Sequence, residues 1–318
     1  MAAVDRAVAT LHARGELWQS RPGLVGMRGD LLALFRAVER AIAELVACET
    51  VDEWLVPAGI ALETLARAGY FDALPRSLTL ASHLSDDPDL LQRVADDADP
   101  SDAARETAMP ADAALAPAAC YHAYAALAGT RLAASRRLTV HGTCWRHEGG
   151  RLEPLARGWA FTMRELVGVG TDRDVEALRQ RGMEAAEGLA RSFGLEPVIV
   201  EGGEPLAGRS HAARPLEHQL LLPLAERAPI AATSFNHHEL HFGEAFDIRL
   251  ADGSPAATAC VAFGIERWVL AILAEHGPDR EGWPPALRES ATSPPRTPSR
   301  DGGGWKGSCG GQTCGSSV

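Results

Sequence analysis

The stretch "CWRHEGGRLEPLARGWAFTMREL", residues 144–166, sets an Arg-His-Glu strand, a glycine turn and a second charged strand side by side. Successive side chains of a strand point to opposite faces. Alternation therefore puts Arg146 and Glu148 on one face of the first arm, and Phe161, Met163 and Glu165 on one face of the returning arm. An arginine fixed on such a floor can hold a phosphate through charge-assisted, bidentate bonds. An aromatic ring can stack on a purine, and a second arginine at the loop edge can reach a terminal phosphate. These are the parts of an ATP site. Spacing alone favours a plainer reading, a solvated hairpin with cross-strand ion pairs and a half-buried phenylalanine.

Outward from the hairpin, the segment from about 138 to 275 mixes strand-like alternation with clear helices. The strands are "RLTVHGTCW" and "EAFDIRLA"; the helices are "DVEALRQRGMEAAEGLARSFG" and the run after "FGIER". This predicts an α+β domain around an antiparallel sheet. Between about 51 and 130, "VPAGIALETLARAGYFDALP" reads as a helical run broken by Gly69 and closed by Pro75. The acidic "SDDPDLLQRVADDADPSDAARETAMP" reads as solvent-facing loop and short helix. Upstream, Leu31, Leu34, Val38, Ile42 and Leu45 recur at helical spacing, an amphipathic helix or hairpin whose apolar stripe needs a partner. The expected division is a short helical N-terminal segment over 1–50, a catalytic domain over 51–287, and a disordered Pro/Ser/Gly-rich tail over 288–318.

The chain's 318 residues can bury roughly three-quarters of the unfolded surface, enough for a sizeable core. With 31 Lys and Arg against 42 Asp and Glu, the net charge of −11 disfavours bulk nucleic-acid binding. No basic leader with an apolar core opens the chain, and no uninterrupted apolar run approaches roughly eighteen residues. The expectation is a cytoplasmic protein with no membrane role. In that compartment the six cysteines are unlike a disulfide framework, so a cluster among them points to metal binding or packing.

The order T-C-W-R-H-E, loop, L-A-R-G-W-A-F-T-M-R-E resembles motif 2 of the class II aminoacyl-tRNA synthetases, the seryl branch above all. Arg146, Glu148, Leu155, Arg157, Phe161 and Glu165 match the pattern, and Arg164 adjoins the usual lysine position. "ACVAFGIERWVLAIL" resembles motif 3 at Gly264, Ile265, Glu266 and Arg267, about 120 residues downstream. The resemblance implies a class II synthetase-like antiparallel sheet flanked by helices. In it Arg146 holds the α-phosphate, Phe161 stacks on adenine, Arg267 meets the γ-phosphate with Mg2+, and Glu148 bonds the adenine or the arginine–phosphate network. Arg157 belongs to the same nucleotide set. Motif 1 is poorly defined, placed near "VPAGIALETLARAGYF", so a homodimer is implied by the family more than by these residues.

Cys120, Glu165 and Cys260 form a second constellation if neighbouring central strands converge. Two thiolates and a carboxylate give a tetrahedral Zn2+ three ligands and leave one position open, as a substrate-binding metal requires. The bland alternative is three isolated core residues. A Cys, Glu, Cys set in this order is used by the zinc-dependent seryl-tRNA synthetases of methanogens and by their truncated relatives, the amino acid:[carrier protein] ligases. Wording such as "CYHAY", "AGYFDALP" and "FNHHELHFGEAFDI" is similar to the ligases, over roughly residues 51 to 275.

That resemblance implies ATP-dependent activation of a small amino acid, glycine or alanine, as an aminoacyl-adenylate. The acyl group then passes to the phosphopantetheine thiol of a small acidic carrier protein. Only about 50 residues precede the family-like region and no extended basic surface is evident, so tRNA is not the expected partner. Arg131, Arg136 and Arg137, or the "RDVEALRQR" helix, are docking candidates unless that run is simply a solvated face. Trp268 and His238 are candidates for closing the side-chain pocket, and Asn236 or Glu239 for positioning Mg2+ or substrate. A second metal site at His237, His238, Glu239 and His241 is not expected, because adjacent histidines on a strand face opposite ways. The rival readings are a silent paralogue that binds an amino acid without turnover, and an enzyme with a tRNA or peptide acceptor. Retention of both motif arginines and all three metal ligands argues against the silent form.

Overall fold

Seven strands carry the longest alternations of the chain, and their pairing places everything else. The computed structural model describes residues 2–49, 52–73, 75–202 and 217–292. It begins with α1 (Ala3–Ala13), then a hairpin of β1 (Leu17–Arg21) and β2 (Leu24–Met27), then α2 (Gly29–Ala47). The hairpin turns at Pro22 and Gly23, where φ of +79° suits a residue without a Cβ. Leu31, Leu34, Val38 and Ile42 are buried along α2, with Leu45 packed at the edge, so the predicted stripe finds its partner.

After β3 (Asp52–Leu55), the run from Val56 expected as one helix before Gly69 is instead β4 (Gly59–Ala61) and α3 (Leu62–Arg67), followed by α4 (Tyr70–Ala73). Pro57 lacks an N–H and Gly59 is a poor helix former, so the helix starts only at Leu62. β4 joins β5 (Thr79–Ala81) and β6 (Ala113–Leu115) in a three-stranded antiparallel sheet. Between them α5 (Pro88–Asp96) and α6 (Pro100–Glu106) each begin with proline after an aspartate cap and bury no residue, which fits the solvent-facing reading.

After α7 (Cys120–Ala126) come β7 (Arg136–Trp145), β8 (Ala160–Gly170), α8 (Asp172–Ser192) and β9 (Val198–Glu201). Then follow β10 (Glu217–Leu224), β11 (Arg227–His237), α9 (His241–Ala245), β12 (Ala257–Gly264), α10 (Ile265–His276) and α11 (Pro285–Thr292). The main sheet runs β3-β7-β8-β12-β11-β10-β9, antiparallel throughout except for the parallel β3–β7 pair. α1, α2, α8 and α10 cover one face, packed on Leu166, Val261, Phe263 and Leu220. α7, α9 and the small sheet cover part of the other, packed on Val140, Val167, Cys260 and Ala262.

"EAFDIRLA" is not a strand. Its first half closes α9, where Phe242 and Phe246, one turn apart, both pack on Tyr124; Asp247 then takes a φ of +54° and the extended remainder makes only isolated bridges through Arg249. Residues 2–49 share their core with the main sheet, and α11 packs on α2. α11 crosses the boundary expected at 288; the tail beyond Thr292, with Cys309 and Cys314, lies outside the described residues. Because Leu34 lies in the shared core, Leu34→Ala is expected to cost ~2–5 kcal/mol in one cooperative transition. A separate early transition in chemical denaturation would show instead that the first helices fold apart.

Candidate functional site

Two adjoining cavities open on the face of the main sheet opposite α8 and α10. The larger, about 180 Å3, is lined by Arg146, Glu148, Arg157, Phe161 and Arg267, so all five residues expected at the nucleotide come together. The smaller, about 60 Å3, contains Cys120, Glu165 and Cys260. Arg146, Met163, Ser234 and Ala262 line both.

β7 ends at Trp145, so Arg146 and Glu148 do not share a regular strand as alternation suggested. The Arg146 N–H still donates to the Trp159 carbonyl at 2.9 Å, but His147 turns away to Ser77 and Glu148 enters a tight turn at Gly149. The Arg146 Nε donates to the Pro117 carbonyl at 2.8 Å, holding the guanidinium 5.5 Å from the Phe161 ring centroid. Arg267, in the first turn of α10, is fixed by bonds to the carbonyls of Ala156 (2.9 Å) and Ala231 (2.7 Å). Desolvation, with Arg146 nearby, holds it down to about 10. Arg157 donates to Glu148 at 2.5 Å. Arg164 takes no part: it points to the helical face, where it meets Glu39 and Glu53.

Glu266, within the quoted Gly-Ile-Glu-Arg run, accepts the Thr162 N–H with both carboxylate oxygens at 2.9 Å and so clasps β8 to α10. Burial pushes its carboxyl up to about 7. The hairpin of β1 and β2 also contributes, through Val25 and Met27. Its Gly23 carbonyl accepts the Trp159 and Ala160 N–H groups at the start of β8. Its signal in sequence was the Pro-Gly pair of a turn; nothing local ties that turn to a site over a hundred residues away.

In the smaller cavity the ligand atoms of Cys120, Glu165 and Cys260 all lie within 4.8 Å of one another, and all three residues are buried. Glu165 and Cys260 come from the paired strands β8 and β12, but Cys120 opens α7 rather than lying on a strand. One oxygen of Glu165 accepts the N–H groups of Ala119 (2.7 Å) and Cys120 (3.3 Å). The other, buried, has no hydrogen-bond partner among the described residues. The neighbouring Cys260 thiol, burial and the Glu165 charge push Cys120 well above the usual thiol range, and burial raises Glu165. A dry cluster of three potential anions with an orphaned carboxylate oxygen is short of a cation, and its donor set suits a divalent metal that accepts sulfur.

Other expected residues divide. Asn236 lines the smaller cavity and donates to the Cys260 sulfur at 3.5 Å; Glu239 lines neither cavity. His238 lines the smaller cavity, whereas His237 faces the helices and pairs with Asp172 at 3.1 Å, as opposite strand faces require. Trp268 is core: its Nε1 donates to Thr233 and its ring meets Phe193 and Phe263. Of the docking candidates, Arg136 pairs with Asp52, Arg137 and Arg181 share Glu49, and Arg179 is buried on Glu176, whereas Arg131, bonded to the Ala251 carbonyl, and Arg173 stay exposed.

A mainly antiparallel sheet with helices behind and an arginine-lined cavity on its open face is the class II aminoacyl-tRNA synthetase fold. The M. kandleri seryl-tRNA synthetase, solved in complex with A. aeolicus tRNASec, superposes over 91% of this chain and 60% of its own at a TM-score of 0.82 and 24% identity. The cytoplasmic serine-tRNA ligase of Naegleria fowleri, solved with AMP, matches over 92% and 66% at a TM-score of 0.69 and 13% identity. No family profile matches the chain. In sequence it is 33% identical over 288 residues to amino acid–[acyl-carrier-protein] ligase 1 of Bradyrhizobium diazoefficiens, spanning 86% of this chain and 88% of that protein. Ligase 2 of the same organism is 35% identical over 235 residues, 71% and 70% of the two chains. The chain belongs to the amino acid–[acyl-carrier-protein] ligase family and is an enzyme of the class II synthetase-like ligase type. It is also 29% identical to the type-2 serine–tRNA ligase of Methanocaldococcus jannaschii, of which it spans 56%.

On the reading that Cys120, Glu165 and Cys260 hold a divalent metal, removing one sulfur should empty the cluster without disturbing the sheet. Cys260→Ala is expected to lose at least ~90% of bound divalent metal by elemental analysis while keeping its circular dichroism, because a site with two ligands left holds metal poorly. A full metal complement in that variant would contradict the assignment.

Proposed function

We propose that the enzyme activates a small amino acid with ATP as its aminoacyl-adenylate and passes the acyl group to the phosphopantetheine thiol of an acidic carrier protein. The observation that carries this reading is the junction of the two cavities at Arg146. A carboxylate in the smaller cavity faces an α-phosphate in the larger across one guanidinium. The amino-acid carboxylate oxygen attacks the α-phosphorus, the P–O bond to pyrophosphate breaks, and Arg146 stabilises the charge on the pentacoordinate phosphorus. Phe161 supplies a stacking face for adenine, and Arg267 with Arg157 receives the terminal phosphates. Glu217, which lines the same cavity, offers a carboxylate to the Mg2+ that accompanies the triphosphate.

Cys120, Glu165 and Cys260 would hold Zn2+, whose open position supplies a Lewis-acid site for the substrate's uncharged α-amine. Asn236 steadies the Cys260 sulfur. In the second step the carrier thiolate attacks the acyl carbonyl and AMP leaves. The carrier rather than a tRNA is favoured as acceptor by the greater identity to the carrier-protein ligases and the larger share of those proteins matched. A site that needs two reduced thiols and ATP suits the cytoplasm; no helix among the described residues is long and apolar enough to cross a membrane.

We further propose a homodimer. β3 is an edge strand of the main sheet, and its Leu55 is 81% exposed beside a groove lined by Phe35 and Val56 of the same chain. Sedimentation velocity should give twice the monomer mass, and Leu55→Asp should shift it toward monomer; a monomeric wild type would refute the pairing.

The activation step is tested by amino-acid-dependent ATP–pyrophosphate exchange across the twenty amino acids. Exchange is expected with one or two small amino acids, lost on chelation of the metal, and reduced by ~10²–10³ in Arg146→Ala. No exchange from folded, metal-loaded protein with any amino acid would overturn adenylation.

A further inference from the structure

We infer that His238 is the wall that sets the largest side chain the enzyme admits. The inference rests on the proposed function, since it concerns the amino acid held between the metal ligands and Arg146.

With its amine toward Cys120, Glu165 and Cys260 and its carboxylate toward Arg146, a substrate presents its side chain to what remains of the smaller cavity. The large groups there are the rings of Tyr70, Tyr121, Phe242 and His238. Tyr70, Tyr121 and Phe242 are only 2–3% exposed and belong to the core beneath. His238 is the least buried of the four. At one water per ~10–15 Å3, a cavity of about 60 Å3 takes about four to six heavy atoms, the size of glycine or alanine.

The ring cannot readily swing aside. Its Nδ1 lies 3.2 Å from the Thr258 hydroxyl and 3.4 Å from the Tyr124 hydroxyl, and its backbone N–H donates to the Thr258 carbonyl at 2.8 Å. It meets Phe242 edge to face at 4.8 Å, and Phe242 is stacked on Tyr124 at 4.3 Å. Nor is His238 a metal ligand in waiting. Its Nε2 stands 3.9 Å from the Cys260 sulfur, but the ligand cluster among the described residues comprises Cys120, Glu165 and Cys260 without it. The imidazole thus packs against a ligand and takes up the volume a longer side chain would need.

The test compares His238→Ala and His238→Asn, which trim the ring, with His238→Phe, which keeps its bulk. Pyrophosphate exchange is measured with glycine, alanine, threonine and valine, alongside zinc content and calorimetric titration of the same amino acids. The ratio of kcat/KM for valine to that for glycine should rise ~10–100-fold in the Ala and Asn variants and stay near the wild-type ratio in the Phe variant. Unchanged ratios in folded, zinc-loaded, active variants would overturn the wall and leave adenylation standing. If the wild type exchanges with none of these amino acids, yet binds glycine over valine and loses that preference in His238→Ala, adenylation falls and the wall stands. If it neither exchanges with nor binds any of them, both are overturned.

Discussion

The site depends on the antiparallel register of β8 against β12. Pairing Glu165 with Ala262 sets the carboxylate diagonally across from Cys260, and pairing Met163 with Gly264 releases the chain into α10 where Arg267 can turn toward Phe161. Side chains alternate with a period of two, so a slip of one residue would send Cys260 to the helical face and leave Glu165 buried without that sulfur neighbour. The helices behind the sheet guard against such a slip. Val261 and Phe263 are buried among α8 and α10, and a shifted strand would expose them while thrusting Cys260 and Ala262 into that core.

The two cavities carry opposite electrostatic demands. In the larger, Arg146, Arg157 and Arg267 converge, and Arg267 is depressed because charging it beside Arg146 away from water is unfavourable. In the smaller, the Cys260 thiol, burial and the Glu165 charge raise Cys120, and burial raises Glu165. In the larger half Glu148 is taken up by Arg157 and Glu266 by the Thr162 amide, so Arg146 and Arg267 meet no carboxylate directly; in the smaller half one Glu165 oxygen has no hydrogen-bond partner among the described residues. On the proposed function a triphosphate and a metal supply the counter-charges separately, and an amino acid meets both through its two ends, with Arg146 as the shared boundary.

Much of this was legible in sequence because it is periodic. The alternation of "RLTVHGTCW" and of the returning arm of the hairpin, with the helical spacing of "DVEALRQRGMEAAEGLARSFG" and of the run after "FGIER", pointed to the sheet and its cover, and Arg146, Phe161 and Arg267 line one cavity. What failed was local and shape-dependent. "EAFDIRLA" alternates like a strand, but the Phe242–Phe246 pair is satisfied by a helical turn against Tyr124, a contact between segments more than a hundred residues apart. Convergence of Cys120, Glu165 and Cys260 was expected from neighbouring central strands; Cys120 instead opens a helix, and Glu165 accepts the amides of Ala119 and Cys120 there. Trp268 and His238 looked equivalent as pocket candidates, and only the sheet face on which each falls separates them.

The same packing decides how much of the proposed nucleotide site exists before a ligand arrives. Arg146 and Arg267 are each bonded to backbone carbonyls, and Glu266 ties the Thr162 amide, next to Phe161, to the first turn of α10. The positions of both arginines and the stacking ring are therefore set by the backbone, and little side-chain entropy remains to be lost there on binding. Arg157 differs: its side chain is 44% exposed and, among the described residues, is held by Glu148 alone. An exposed pair of this kind holds weakly. On the proposed function, a terminal phosphate would take Arg157 from Glu148 at small cost and leave the Glu148 carboxylate free to accept from the adenine amino group. Rearrangement on nucleotide binding is then confined to the one ion pair at the mouth of the cavity, while the groups closest to the reacting phosphorus stay where the sheet has put them.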